Sequence, residues 1–345
     1  MSNKEVKRIR VESLESQRAR VLKAIKKGEL AEGEAKEELQ SVLSEKFNRK
    51  YVQLVSNGFS SIFLSLKAIK GEYKKVLTSP IGTCFAMINA IKANDLIPHL
   101  SDIDSKTMSN DFQKAIIEGS EFESAVIPNH FGIQGEINRK GIADKFLIED
   151  AAQSFSTSYK RKNKSDITIL SFYPTKIVNG IDGGAILTDD EDVFKYINRI
   201  VSYDDQFNAE HEARYNFKMS NINAAHTLGS LDHLPSIEEK MAHNFERIAN
   251  ALQEKKVNVI SGNEGDFKTK VLIKCDSIQS RNLLVTHFSE SDIETSYELN
   301  WLCDDSHRSK YPNAKECVET TFSIPFHPFL KDQEIEIILK SIKSI

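Results

Sequence analysis

The stretch from Ser171 to Asp190 reads SFYPTKIVNGIDGGAILTDD. It sets Lys176 directly behind a Pro174-Thr175 turn and ahead of Gly180, Gly183 and Gly184, which close on an apolar run. Proline and glycine punctuate a chain, so this lysine sits in a turn between two extended segments, ITILSFY before it and GAILTDD after it. A lysine in such a turn is held at one end of two strands, and the glycines are expected to let the chain pass close to whatever the lysine serves before it re-enters a sheet.

Working outward, the chain from about residue 50 alternates short apolar runs with helical patterns. YVQLVS leads to FSSIFLSLKAIK, KVLTSP to CFAMINAIKAN, LIPHLSDI to DFQKAIIEG, and SAVIPNHF to EINRKGIADKF. Strands separated by helices of this length are crossover units, which build a mostly parallel sheet between helices. LIEDA, ITILSFY and GAILTDD follow with less helix between them, so one or more of these strands is expected to run antiparallel or lie at a rim. A long helical stretch from Asn221 to Lys256, broken near Pro235, resembles a spine between two units. Beyond it VNVI, KVLIKC, SRNLLVTHF, IETSYE and DQEIEIILKSIKSI suggest a smaller α+β unit. The expected fold class is α/β, with N-terminal helices and a large domain over 1–235 and a small α+β domain over 236–345.

The totals exclude several classes. A chain of 345 residues, 40% hydrophobic, can bury a sizeable core, and its net charge of −4 gives no reason to expect nucleic acid as a partner. Residues 1–27 carry nine Lys/Arg against three Glu. With Leu14, Val21, Leu22 and Ile25 at helical spacing, that segment reads as a solvated helix with one packed stripe. Cys84, Cys275, Cys303 and Cys317 are too scattered for a zinc spacing or a disulfide scaffold, so no metal is expected. No apolar leader and no bilayer-length run is visible, and a cytoplasmic protein without a membrane partner is the expectation.

In open α/β sheets ligands gather at the carboxyl ends of the strands. After YVQLVS comes Asn57-Gly58-Phe59-Ser60-Ser61, which reads either as an ordinary helix cap or as a phosphate site built from free N–H groups and hydroxyls. After LIE come Asp150 and Gln153; the carboxylate could hold a metal, a ribose or a protonated ring nitrogen, or cap the chain, and no neighbouring His/Cys/Asp cluster favours the metal. His130, in PNHFG, stands at another strand end, either facing the site or packed with a hydrogen bond. Ser171 and Lys176 complete the set. A lysine that forms a Schiff base, a carboxylate that keeps a pyridine nitrogen protonated and a phosphate cradle are together what pyridoxal phosphate requires.

The run from IEDAAQS through SFYPTKIVNGIDGGAILTDD to YNFKMSNINAA strongly resembles the DegT/DnrJ/EryC1/StrS family of nucleotide-sugar aminotransferases, within the fold-type I pyridoxal-phosphate enzymes. The likeness extends more loosely from GELAEGEAKEELQ to FSIPFHPFLKDQEIE. It implies that Lys176 carries the cofactor and moves the proton, that Asp150 partners the pyridinium nitrogen and that Gln153 lies against the phenolic oxygen. Ser171 and the Gly58–Ser60 turn resemble phosphate ligands, and Asn216 resembles an asparagine that reaches the phosphate from the partner subunit of a homodimer. The implied reaction moves an amino group, through the pyridoxamine form, from an amino acid (L-glutamate by family usage) to a keto group on a nucleotide-linked sugar. Its implied setting is polysaccharide assembly, O-antigen included, or a decorated natural product.

The sequence departs from that family at three places. Phe59 stands where threonine is usual, Cys84 stands where an aromatic ring commonly stacks on the cofactor, with Phe85 beside it expected to point elsewhere, and SYELNWLCDDSH replaces the usual sugar-bordering motif. Tyr297, Trp301 and His307 in that last segment are either core residues or the lining of an altered substrate pocket. The departures leave open a non-catalytic reading, a cofactor-binding regulator or a degenerate partner subunit. A sugar dehydratase of the same family has histidine where this chain has Lys176, which weighs against it.

Overall fold

The computed structural model describes residues 5–69, 74–137, 139–157, 159, 165–203 and 213–345. Two helices, α1 (Glu15–Lys27) and α2 (Glu34–Phe47), precede the alternating region. That region runs β1 (Tyr51–Val55), α3 (Gly58–Lys67), β2 (Lys75–Thr78), β3 (Ile81–Gly82), α4 (Ala86–Ala93), β4 (Ile97–Leu100), α5 (Phe112–Ile117), β5 (Ser124–Pro128), β6 (Phe146–Asp150), β7 (Ile167–Ser171) and β8 (Gly184–Thr188). The seven-stranded sheet has the order β1-β8-β7-β6-β5-β2-β4. Its neighbours from β4 to β7 are parallel, and β8 is antiparallel to both β7 and β1.

The antiparallel strand follows from the opening stretch. Residues 172–183 are too few to carry a crossover helix, so the chain must return beside the strand it left. The pairing places Ser171 opposite Gly184, and Gly184 opposite Val55. Lys176 therefore lies at the carboxyl edge of β7 with β1 close by.

Strands buried on both faces divide their side chains between two helical layers. Ile167, Ile169 and Ile186 pack with Ile62, Ile88 and Ile197 on one face. Leu170, Ala185 and Leu187 pack with Leu39, Leu43 and Leu228 on the other. Local capping fixes the helix starts: Asn57 accepts from Ser60 N at 2.9 Å at the start of α3, and Asp190 accepts from Asp192 N and Val193 N at the start of α6 (Glu191–Ile200).

The long stretch past Asn221 divides into α7 (Asn221–Leu231) and α8 (Leu234–Glu254), with Pro235 in the first turn of α8, where its missing N–H costs nothing. The remainder is β9 (Asn258–Val259), β10 (Val271–Lys274), α9 (Ile278–Glu290), β11 (Asn300–Trp301), α10 (Pro312–Thr320), β12 (Thr321–Ile324) and α11 (Asp332–Lys343). A second sheet, β12-β10-β9, shares a core with α8, α9 and α11, and Val6 from the N-terminal segment is buried in that same core. Val6 N donates to Asp292 O and Glu294 N to Val6 O, so the chain's first described residues pack on the C-terminal unit. Pairing of β11 with β3 joins the two units beside the sheet's carboxyl edge.

Two expectations are corrected. EINRKGIADKF forms no helix among its described residues: Gly141 turns with φ +82°, while Ile137 and Ile142 are buried beside Phe112 and Leu147 as anchors of an irregular connection. In α1 the buried residues are Gln17 and Ala24, whereas Leu22 and Ile25 are exposed. A Cβ on Gly229 would lie 2.5 Å from Gln17 Cα, so α1 packs backbone to backbone on α7, with Leu14 and Val21 half-buried and the rest of the apolar stripe outward.

Candidate active site

A cavity of about 590 Å³ opens at the carboxyl edge of the large sheet. Loops after β1, β3, β6 and β7 bring Gly58, Phe59, Cys84, Asp150, Gln153, Ser171 and Lys176 to its wall.

The first turn of α3 supplies the anion-binding part. The first N–H groups of a helix have no intrahelical acceptor, and Asn57 already caps that of Ser60, which leaves those of Gly58 and Phe59 for a ligand. Gly58 faces Ser171 so closely that a Cβ would lie 2.8 Å from both Cβ and Oγ of Ser171. Only a glycine leaves that cradle open. Ser60 itself turns inward: it is 1% exposed, with its hydroxyl 3.0 Å from Asn57 Oδ1 and 2.9 Å from Ser56 Oγ.

Lys176 and Asp150 face the same space without closing into a direct ion pair. Burial lowers the proton affinity of the Lys176 amine, with Asp150 and Cys84 acting against that effect and the Lys270 charge adding to it. Burial raises the Asp150 carboxyl, while the Ala152 N–H and Lys176 pull it back. Gln153 is fixed at both ends: its Oε1 accepts from Phe131 N at 2.9 Å and its Nε2 donates to Thr83 Oγ1 at 2.7 Å. His130 is 4% exposed and packs behind this wall rather than lining it. Its Nε2 has no hydrogen-bond partner among the described residues, and burial together with the Lys176 charge pushes the imidazole down to about 4.

A cofactor with a phosphate, an aldehyde and a basic ring nitrogen fits these residues. The missing Cβ of Gly58 lets Ser171 stand beside the first-turn N–H groups of the helix, the amine is held with lowered proton affinity, and the half-buried carboxyl of Asp150 lines the same cavity.

None of Gly180, Gly183 and Gly184 lines the cavity. A Cβ on Gly180 would meet Thr227 Oγ1 at 2.7 Å, one on Gly183 would meet Met219 Cε at 2.6 Å, and one on Gly184 would meet Ser61 Oγ at 2.5 Å. These glycines admit α7 and the start of α3, which seat the loop from behind. Phe85 is 53% exposed and turned away, and Cys84 takes the wall beside Ala86. Asn216 is exposed, paired in a bridge with Ser202, and outside this chain's own cavity. Tyr297 lies under the Arg281 guanidinium at 4.6 Å, Trp301 under that of Arg308 at 5.3 Å, and neither they nor His307 reach the cavity. Among the described residues no group of His, Cys, Asp and Glu is placed to hold a metal ion, and no helix is long and apolar enough to cross a membrane.

The opposite wall is formed by residues that sequence reasoning missed. Arg8 and Arg10 come from the N-terminal segment, and Lys270, Glu298 and His327 from the C-terminal unit. They lie hundreds of residues from one another in places, and only the long-range seating of Val6 brings them together, so no local pattern marks them.

Comparison with known proteins agrees with this geometry. The profile of the DegT/DnrJ/EryC1/StrS aminotransferase family matches residues 12–343. The chain is 23% identical to the spore coat polysaccharide biosynthesis protein SpsC of Bacillus subtilis, over 94% of this chain and 93% of that protein. It is 25% identical to GDP-perosamine synthase of Escherichia coli O157:H7, over 89% and 88%. Among solved structures, PseC of Helicobacter pylori, an aminotransferase involved in the biosynthesis of pseudoaminic acid, superimposes with a TM-score of 0.84 at 15% identity over 99% of both chains. A DegT DnrJ EryC1 StrS aminotransferase from Brucella abortus does so with 0.80 at 21% identity over 95% of both. The fold is that of the fold-type I sugar aminotransferases, and the chain belongs to the DegT/DnrJ/EryC1/StrS aminotransferase family.

Proposed function

We propose that this protein is a pyridoxal-phosphate-dependent aminotransferase that moves an amino group from L-glutamate to a keto group on a nucleotide-linked sugar, for polysaccharide or natural-product assembly, O-antigen included. The observation that carries this reading is that Lys176, its proton affinity lowered by burial, and the half-buried carboxyl of Asp150 line one open cavity. The relatives named GDP-perosamine synthase and UDP-2-acetamido-2-deoxy-3-oxo-D-glucuronate aminotransferase, each 25% identical, support the class of acceptor.

When bound, pyridoxal phosphate supplies an electron sink that stabilises negative charge on the carbon losing a proton. The residues do the rest. The first-turn N–H groups of Gly58 and Phe59, with Ser171, bind the phosphate at the positive end of α3. Asp150 would pair with a protonated ring nitrogen and hold that proton in place. Gln153, locked between Phe131 and Thr83, lines the cavity and would hold a fixed amide beside the cofactor. Lys176 acts at Nζ, as nucleophile when neutral and then as the base that takes a proton and returns it; both roles need the unprotonated amine that burial favours. We place Asn216 in the second site of a homodimer, where its exposed side chain reaches the partner's phosphate, and the assembly in the cytoplasm.

The test is spectroscopic. Purified protein loaded with pyridoxal phosphate should show a lysine-linked visible band that shifts on adding L-glutamate, and Lys176→Ala should lose both. A wild-type protein that binds the cofactor but reacts with no amino donor would overturn the proposal in favour of the non-catalytic reading.

A further inference from the structure

The cavity wall facing Lys176 carries more positive charge than its own acids neutralise. Lys270 stands just before β10, with a side chain 20% exposed. Its ammonium lies 3.7 Å from Glu298 Oε1, an ion-pair distance longer than an ordinary hydrogen bond. The same Glu298 oxygen is 3.7 Å from Arg8 Nη1 and accepts the Ser323 hydroxyl at 2.7 Å. Two cations thus share one carboxylate that is already engaged, and since Arg8 Nη1 also donates to Ser296 Oγ at 3.1 Å, the Lys270 ammonium is the less committed of the two. The third cation of the wall, Arg10, is committed elsewhere, with both terminal nitrogens on Glu334.

We propose that Lys270, backed by Arg8, receives the α-carboxylate of the amino donor. This rests on the aminotransferase reading and names the donor subsite within it. A half-buried ammonium that shares one carboxylate with a second cation is stabilised by an anionic ligand, and burial already lowers the proton affinity of Lys270, a penalty that an arriving carboxylate offsets. Two anions are available in this chemistry, the donor carboxylate and the pyrophosphate of a nucleotide-linked sugar. The position relative to Lys176 separates them. Lys270 lines the same cavity as Lys176, Asp150 and Gln153, so its ammonium shares the space of the reacting centre. An α-carboxylate is one bond from the carbon that gives up its amine, whereas a pyrophosphate is held away from the reacting keto carbon by the sugar ring.

The experiment uses the cofactor-loaded enzyme. Binding of 2-oxoglutarate to the pyridoxamine-phosphate form is measured by calorimetry for wild type, Lys270→Met and Lys270→Arg, alongside binding of UDP, GDP and dTDP. Loss of one charged hydrogen-bonding partner predicts a Kd raised about 10- to 100-fold in Lys270→Met, with recovery of most of that loss in Lys270→Arg. Nucleotide binding should be unchanged, and the pyridoxal-phosphate form of the variant should still show its Lys176-linked band, which also shows that the variant is folded. A Lys270→Met enzyme that binds 2-oxoglutarate like wild type, or loses nucleotide affinity instead, overturns the assignment while a wild type reactive toward glutamate leaves the proposed function standing. A wild type that binds no 2-oxo acid and reacts with no donor overturns both.

Discussion

A Cβ added to Gly58 would sit 2.8 Å from both Cβ and Oγ of Ser171, so the first turn of α3 and the end of β7 are in contact through the missing side chain. That contact brings the helix's free N–H groups within reach of the same ligand as the serine hydroxyl. Gly58→Ala must push Ser171 or the helix start aside, an overpacking cost of about 1 to 3 kcal/mol. The expected result is a cofactor Kd raised at least about tenfold with the rest of the fold retained, read by titrating pyridoxal phosphate and following the far-UV circular dichroism. Unchanged cofactor affinity would show that this cradle does not hold the phosphate.

Cys84 is exposed on the cavity wall, and its neighbours in composition are not: Cys275 and Cys317 are buried, each pushed up to about 11 by burial. The thiolate is the reactive form, so iodoacetamide near pH 8 should modify Cys84 in cofactor-free protein well ahead of those two. Saturating pyridoxal phosphate should protect it if the thiol lies where related enzymes place a stacking ring. Peptide mass mapping reads both outcomes, and labelling of Cys84 at an equal rate with and without the cofactor would put the thiol outside the cofactor's footprint.

His130 gives the fold an acid-sensitive point. Its folded-state value of about 4 lies below the ordinary 6.5 because burial penalises the imidazolium, next to the charge of Lys176. Unfolded chains therefore take up a proton below about pH 6.5 that the folded protein refuses until near pH 4, and stability falls as pH drops through that window. Between pH 7.5 and pH 5 the difference is about 2 kcal/mol from this residue. Urea denaturation at both values should show His130→Gln losing about that much less than wild type on acidification. An equal loss in both proteins would place the acid sensitivity elsewhere, His327, whose imidazole is also lowered to about 4 by desolvation, being the next candidate.

The large sheet was legible because strands buried on both faces read as short apolar runs, and Lys176 and Asp150 because each directly follows such a run. Legibility fails where pairing is long-range. Val6 joins the C-terminal core through hydrogen bonds to Asp292 and Glu294, and β11 meets β3 over only two residues, so neither leaves a periodic trace. The cations Arg8 and Lys270 are invisible for the same reason: each is an ordinary charged residue until the fold sets them on one carboxylate. The segment around Ile137 and Ile142 misleads in the other direction, since apolar residues at helical spacing also suit a loop pinned at two points. The glycines after Lys176 had a correct position and a wrong reason, because the close neighbours they admit are Thr227, Met219 and Ser61.

Arg10 clamps the N-terminal segment onto the C-terminal unit and so holds one wall of the cavity in place. Its Nη1 donates to Phe329 O at 2.8 Å and Glu334 Oε2 at 2.9 Å, and its Nη2 to Glu334 Oε1 at 2.6 Å. Glu334 is 7% exposed, and although burial opposes its charge, the hydrogen bonds from Arg10 and the Lys331 N–H hold its carboxyl below the ordinary range. Removing the arginine alone strands a buried carboxylate, so Arg10→Met should cost on the order of 2 kcal/mol of stability. Glu334→Gln should cost less, because the amide keeps an acceptor for Arg10 and carries no charge to be stranded. In the double variant the penalty for the unpaired charge disappears, so its loss should fall short of the sum of the two single losses by about 1 kcal/mol or more. Urea denaturation of the four proteins at neutral pH measures this coupling, and additive losses would mean that Arg10 and Glu334 do not hold the wall as a unit.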